Sequence, residues 1–188
     1  MQESYMDEPK DEKGRTEEEF LEYYKTRNYE KPSLTADIVV ITKNNPMILL
    51  IRRGGHPFLG KRALPGGFAN KDEAIEDTAR RELEEETGIK ADNMKLIGVY
   101  SAPGRDPRGW VASAAFLETT EEKKAQAGDD ARDAAWFEIK KDRNKVTLSS
   151  SNEAIEIKFK DGKAEPCPDL AFDHNQIIID ALKTAGLI

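Results

Sequence analysis

One segment constrains this chain more than any other: Gly67 to Ile89, GFANKDEAIEDTARRELEEETGI. Ile75, Ala79 and Leu83 recur at spacings of four. They therefore share one stripe of an α-helix, and the spacing predicts a helix over residues 72–87 packed on a core. Gly88 follows, the residue type that ends helices in the left-handed conformation. On the same helix Glu82, Glu85 and Glu86 stand at i, i+3 and i+4, within an arc of roughly 100°. Carboxylates crowded in this way repel one another and weaken a helix. A divalent cation offsets the repulsion directly, and an all-oxygen donor set suits Mg²⁺, with Mn²⁺ as a substitute. Arg81 precedes Glu85 by four residues and is placed to orient it. The competing reading is a solvated acidic helix, and it is adopted for Glu73, Asp77 and Glu84, which the helical phase turns toward water. For Glu82, Glu85 and Glu86 it leaves the Gly66-Gly67 entry, the neighbouring arginine and the glycine exit unexplained.

The surrounding sequence supplies strands. Ala36 to Ile41 and Met47 to Ile51 are β-rich, and Asn44-Asn45-Pro46 between them predicts a hairpin. Met94 to Tyr100, Trp110 to Leu117 and Ala134 to Ile139 read as further strands. Ile155, Ile157 and Phe159 alternate with charged residues, which predicts a hairpin within 145–160. Ile177, Ile178, Ala181 and Leu182 mark a C-terminal helix starting near Asp173. Thr16 and Glu19 have the spacing of a capping box, so a short helix is expected over 17–25. The expected organisation is an N-terminal arm with that helix over residues 1–28 and one domain over 29–188. Its fold class is α+β, an α/β/α sandwich in which helices flank a mixed sheet.

Composition narrows the partners. Lys and Arg number 29 against 36 Asp and Glu, a formal net charge of −7. No basic patch dominates, so nucleic-acid binding is not expected. A phosphate-rich substrate would need cations to approach such a protein. A single cysteine, Cys167, excludes an internal disulfide and is read as an inert loop thiol, with the cytoplasm as the expected location. No apolar run reaches membrane-spanning length, and the charged N-terminus is not expected to act as a signal peptide.

At this point the segment resembles a known motif at every defined position. Gly67, five residues, Glu73, seven residues, Arg81-Glu82-Leu83, one residue, Glu85-Glu86, one residue and Gly88-Ile89 form the Nudix box. The resemblance implies a Nudix hydrolase that cleaves a nucleoside diphosphate linked to another group. It implies that Glu82, Glu85 and Glu86 bind Mg²⁺, with a backbone carbonyl near Gly66-Gly67 as a further ligand and Arg81 as part of the catalytic set.

Residues outside the box must choose the substrate. Arg52, Arg53 and Lys61, before the box, are candidates for phosphate charge, weighed against surface charges at a strand end. His56 before Pro57 is read as a loop-fixing side chain rather than a base. Arg105, Asp106 and Arg108 sit in a turn-rich loop ahead of a strand, and such loops hold specificity groups. Trp110 is as well suited to a core as to stacking. Together with residues 29–35, 128–131 and 170–174, this loop resembles the ADP-ribose pyrophosphatase branch and the Nudix domain of ADP-ribose-responsive regulators. The regulators add a winged helix, which a chain ending at Ile188 is not expected to hold. The function implied is ADP-ribose hydrolysis to AMP and ribose 5-phosphate, in a homodimer. The alternatives are a noncatalytic nucleotide sensor and a hydrolase of nucleoside triphosphates or dinucleotides. Glu118, Glu121 and Glu122, read as a loop beyond the box, are candidates for a general base.

Overall fold

The computed structural model describes residues 8–121 and 134–188. Contacts divide the chain into two compact units, Met1–Lys31 and Pro32–Ile188. In the first, α1 spans Glu17–Lys25 and buries none of its residues. Its start follows from the capping box: Thr16 Oγ1 accepts from the Glu19 N–H, and Glu19 returns a carboxylate to the Thr16 N–H. Phe20, Tyr24 and Tyr29 stack in sequence at 6.0 and 5.3 Å, with Arg15 and Arg27 over aromatic faces.

The second unit is built on a sheet of ten strands among the described residues. In chain order they are β1 (Ser33–Thr42), β2 (Met47–Arg52), β3 (Arg62–Ala63), β4 (Gly66–Phe68), β5 (Lys95–Tyr100), β6 (Val111–Thr120), β7 (Ala135–Asp142), β8 (Lys145–Ser149), β9 (Ala154–Lys160) and β10 (Lys163–Ala164). The main path runs β10-β9-β8-β7-β2-β1-β6-β5, with β3 on β2 and β4 on β1. β1 and β6 pair in parallel from Ser33↔Val111 to Thr42↔Thr120, while the other pairs are antiparallel. The sheet is thus mixed, and the hairpins at Asn44-Asn45-Pro46 and within 145–160 are present.

Helices α2 (Ile75–Thr87) and α3 (His174–Thr184) cover opposite faces. Ile38 and Val40 of β1 pack with Ala79 and Leu83 of α2. Val39 and Ile41 pack on the other side with Ile177 and Ile178 of α3. This is why β1 reads as a continuous apolar run without alternation: both of its faces are buried. α2 starts at Ile75, later than the residue 72 the periodicity predicts. Gly88 ends it at φ 70°. Among the described residues, no helix is long and apolar enough to cross a membrane.

Candidate active site

β4 lies against the second half of α2 and forms a cradle for the carboxylates there. Gly66 has φ 153°, and a Cβ there would sit 2.1 Å from the Ala36 carbonyl oxygen, so only glycine lets β4 lie against β1. A Cβ at Gly67 would meet the Glu82 carboxylate at 2.4–2.5 Å. The missing side chain is the space Glu82 occupies. The Gly66 N–H donates to Glu86 Oε2 at 2.9 Å. Burial pushes the Glu86 carboxyl up to about 7, and the charges of Glu82 and Asp37 add to that, against the pull of the Gly66 N–H and Arg53.

Arg81 gathers the other carboxylates. Its guanidinium meets Glu82 at 2.6 Å, Glu85 at 3.2 Å and Glu73 at 2.8 and 2.9 Å, and it donates to the Phe68 carbonyl at 3.1 Å. Glu73 therefore does not face water as the helical phase predicts. It lies before the first helical residue, outside the periodicity, and reaches across to Arg81. The Arg81 bonds, with those from the Asn70 N–H and Thr78, hold the Glu73 carboxyl down at about 2. Asp77 and Glu84 pair with Arg80 and Lys90 on exposed surface.

Next to the cradle lies a cavity of about 220 Å³. Its floor is a buried charge network. Asp37, on β1, accepts from Ser113 Oγ at 2.5 Å and lies 3.4 Å from His174 Nε2 and 3.5 Å from Arg105. Burial pushes the Asp37 carboxyl up, but His174, Ser113 and Arg105 outweigh it and hold it below the usual carboxylate range. His174 Nδ1 accepts the Leu64 N–H at 2.9 Å, which directs Nε2 at Asp37. Arg105 bonds both carboxylate oxygens of Asp173, at 2.6 and 2.9 Å. Asp106, also buried, accepts from Arg108 at 2.6 Å. Phe172, beside this network, has φ 52°, a conformation bulky side chains seldom adopt and one that clusters at functional sites.

The NUDIX domain model matches residues 31–150. The chain belongs to the Nudix hydrolase family. An ADP-ribose pyrophosphatase of Methanocaldococcus jannaschii is 38% identical over 159 residues, 85% of this chain and 78% of that one. The ADPR responsive transcriptional repressor NtrR of Acinetobacter baylyi is 28% identical, with 88% of this chain covering 59% of the repressor. A MutT/nudix family protein from Enterococcus faecalis superposes with a TM-score of 0.81 at 39% identity, over 92% of this chain and 70% of that one. The NUDIX domain of Shewanella oneidensis NrtR, complexed with ADP ribose, gives 0.59 at 31% identity, over 65% and 82%.

In this Nudix fold, Arg53, Arg105, Asp106 and Arg108 line the cavity, together with Gly66 and Gly67. Glu82, Glu86 and Arg81 border it through β4, and Glu85, more exposed, is joined to them through Arg81. Arg52 and Lys61 do not line it; Arg52 pairs with Glu153, which also accepts from Arg62. Glu118 is not in a loop but buried in β6, where Asn93 N–H donates to it. Burial pushes its carboxyl up. Glu121 is exposed and pairs with Lys43 at 3.2 Å. Glu122 and residues 128–131 lie outside the described residues. His56 and Trp110 are exposed, and Cys167 directs its thiol at the Glu156 carbonyl. The sequence reading gave no role to Asp37 or Phe68, and it marked Phe172, Asp173 and His174 only as part of the 170–174 resemblance, without assigning them to a site. Asp37 carried a signal of its own, a charge inside an apolar strand, where an ionisable residue marks either a buried pair or a site.

Proposed function

We propose that the chain hydrolyses ADP-ribose to AMP and ribose 5-phosphate in a Mg²⁺-dependent reaction. The observation that carries this reading is the contact between the carboxylate face of α2 and the cavity, made through Gly66 and Gly67. The ADP-ribose pyrophosphatase name of the Methanocaldococcus jannaschii relative supports the choice of substrate.

Glu82, Glu85 and Glu86 would hold the metal. The fit is one of chemistry: three oxygen donors, with one carboxyl so buried that it retains its proton to about pH 7 when no cation is near. Among the described residues the carboxylates are not already gathered as a chelating group. Arg81 takes the place of a cation for Glu82 and Glu85, while Glu86 turns to the Gly66 N–H. A bound divalent ion supplies charge neutralisation at the diphosphate and activation of the attacking water. The protein's own groups do the rest. Arg81 orients two donors and is itself held by Glu73. The absent Cβ at Gly67 leaves Glu82 room to approach the cavity.

The test combines ADP-ribose, Mg²⁺ or EDTA, and product identification by chromatography. Hydrolysis should vanish in EDTA, and Glu86→Gln should lower kcat by about 100-fold or more while melting no lower than wild type. Near-native turnover of Glu86→Gln would remove the metal assignment. Tight ADP-ribose binding without hydrolysis would favour a sensor, and a preference for nucleoside triphosphates would favour the other hydrolase reading.

A further inference from the structure

Arg62 of β3 is bridged in parallel to Leu170, on the chain that leads to α3. The Arg62 N–H donates to the Asp169 carbonyl at 3.1 Å, and the Ala171 N–H donates to the Arg62 carbonyl at 2.9 Å. In such a ladder the next bond would run from the Leu64 N–H to the Ala171 carbonyl. That carbonyl accepts instead from the His174 N–H, at 3.2 Å, where the chain turns through Phe172 into α3. Leu64 is 2% exposed, and a buried N–H left unpaired is costly. The His174 side chain supplies the acceptor that the backbone gives up: Nδ1 takes the Leu64 N–H at 2.9 Å. This bond assigns the ring proton to Nε2, which faces Asp37 Oδ1 at 3.4 Å.

Two residues on from Leu64 stands Gly66, whose N–H donates to Glu86. Pro65 lies between them; its ring fixes φ, and its carbonyl accepts the Ile38 N–H at 2.9 Å. Leu64, Pro65 and Gly66 are thus held in succession by α3, β1 and α2. When Glu86 turns from the Gly66 N–H to a cation, the holds from His174 and Ile38 are the ones left on this stretch. We propose that His174 is a positioning residue for the metal site, acting on Gly66 and Glu86 through the Leu64 N–H. The proposal rests on the assignment of Glu86 as a metal ligand above. It gives α3, on the face of the sheet opposite α2, a line to the carboxylates. Groups that brace metal ligands in this way are worth about 10–100-fold in metal affinity.

A histidine that served only to pair with Asp37 would use the other nitrogen, and two substitutions separate the roles. His174→Asn keeps an oxygen close to the Nδ1 position and loses the group that faces Asp37. His174→Gln keeps an amide NH₂ close to the Nε2 position and offers no acceptor at the Nδ1 position. The probe is Mn²⁺ alone, titrated into the full chain, with the free ion followed by EPR. His174→Gln should weaken Mn²⁺ binding by about tenfold or more, while His174→Asn stays within about threefold of wild type. Equal affinities, or the reverse order, in variants that melt as wild type does overturn the positioning role, even if ADP-ribose is hydrolysed. The expected order in a chain that leaves ADP-ribose intact upholds the positioning role and overturns the proposed function. Should either variant fail to fold, the unaltered chain decides through its ¹⁵N spectra. Mg²⁺ should then shift the His174 Nδ1 and Leu64 amide signals together with that of Gly66, and a His174 Nδ1 signal that does not move overturns the proposal.

Discussion

Glu86 is pulled two ways by its surroundings. Burial and the charges of Glu82 and Asp37 favour its proton, which it keeps to about pH 7, against 4.5 for an ordinary glutamate. Between those values the folded chain binds a proton that the unfolded chain has released, so stability falls as pH rises through that window. Above pH 7 the folded chain carries an uncompensated charge unless a cation takes it. In EDTA, the melting temperature of wild type should therefore drop relative to Glu86→Gln between pH 4.5 and 7, by on the order of 5 °C. Mg²⁺ should restore it most at the upper end. Parallel melting curves for the two proteins across this range would show that Glu86 is not perturbed. Gly67 shows the same economy of space: its lack of a side chain is the room that Glu82 fills.

At the scale of the element, α2 was legible where periodicity governs it and illegible one turn earlier. Ala79 and Leu83 are fully buried as the stripe predicts, and Gly88 closes the helix in the left-handed conformation. Glu73 broke the prediction because a helical phase says nothing about residues before the first helical one. Its contact with Arg81 spans eight residues and a bend in the chain. Arg81 in turn holds Glu82 and Glu85, so Glu73 acts on the site through it. Glu73→Gln should lower kcat/KM about tenfold, as loss of a residue supporting a ligand does, with arginine-to-carboxylate order loosened. Asp77→Asn and Glu84→Gln, on the same element, exchange exposed ion pairs and should change stability by less than about 0.5 kcal/mol and activity hardly at all. Equal losses in all three variants would mean that the acidic character of the helix matters, and the Glu73 clamp does not.

Over the whole molecule, the cavity joins segments far apart in the chain: β1 brings Asp37, the loop ahead of β6 brings Arg105 and Arg108, and the entry to α3 brings Asp173 and His174. Arg105 is the residue that ties them, and its side chain is only 4% exposed. Arg105→Ala leaves Asp173 without its guanidinium and Asp37 with His174 and Ser113 alone, and should cost about 3 kcal/mol of stability along with a raised KM, measurable by denaturant titration and kinetics on one preparation. A raised KM with unchanged stability would make Arg105 a pure substrate contact. The sequence alone determined the parts whose physics is local. The box fixes a helix phase, a glycine entry and exit, and the family, because side-chain spacing along a helix sets which groups share a face. Strand runs and turn residues likewise specified most of the sheet. Tertiary structure decided which charges meet. Arg52 and Arg53 are neighbours on the chain, yet one pairs with Glu153 and the other lines the cavity, since adjacent residues at the end of a strand point to opposite sides. Asp37, Phe172 and His174 became site residues only when β1, α3 and the loop before β6 packed together, and no spacing in the chain encodes a contact made across so much of it.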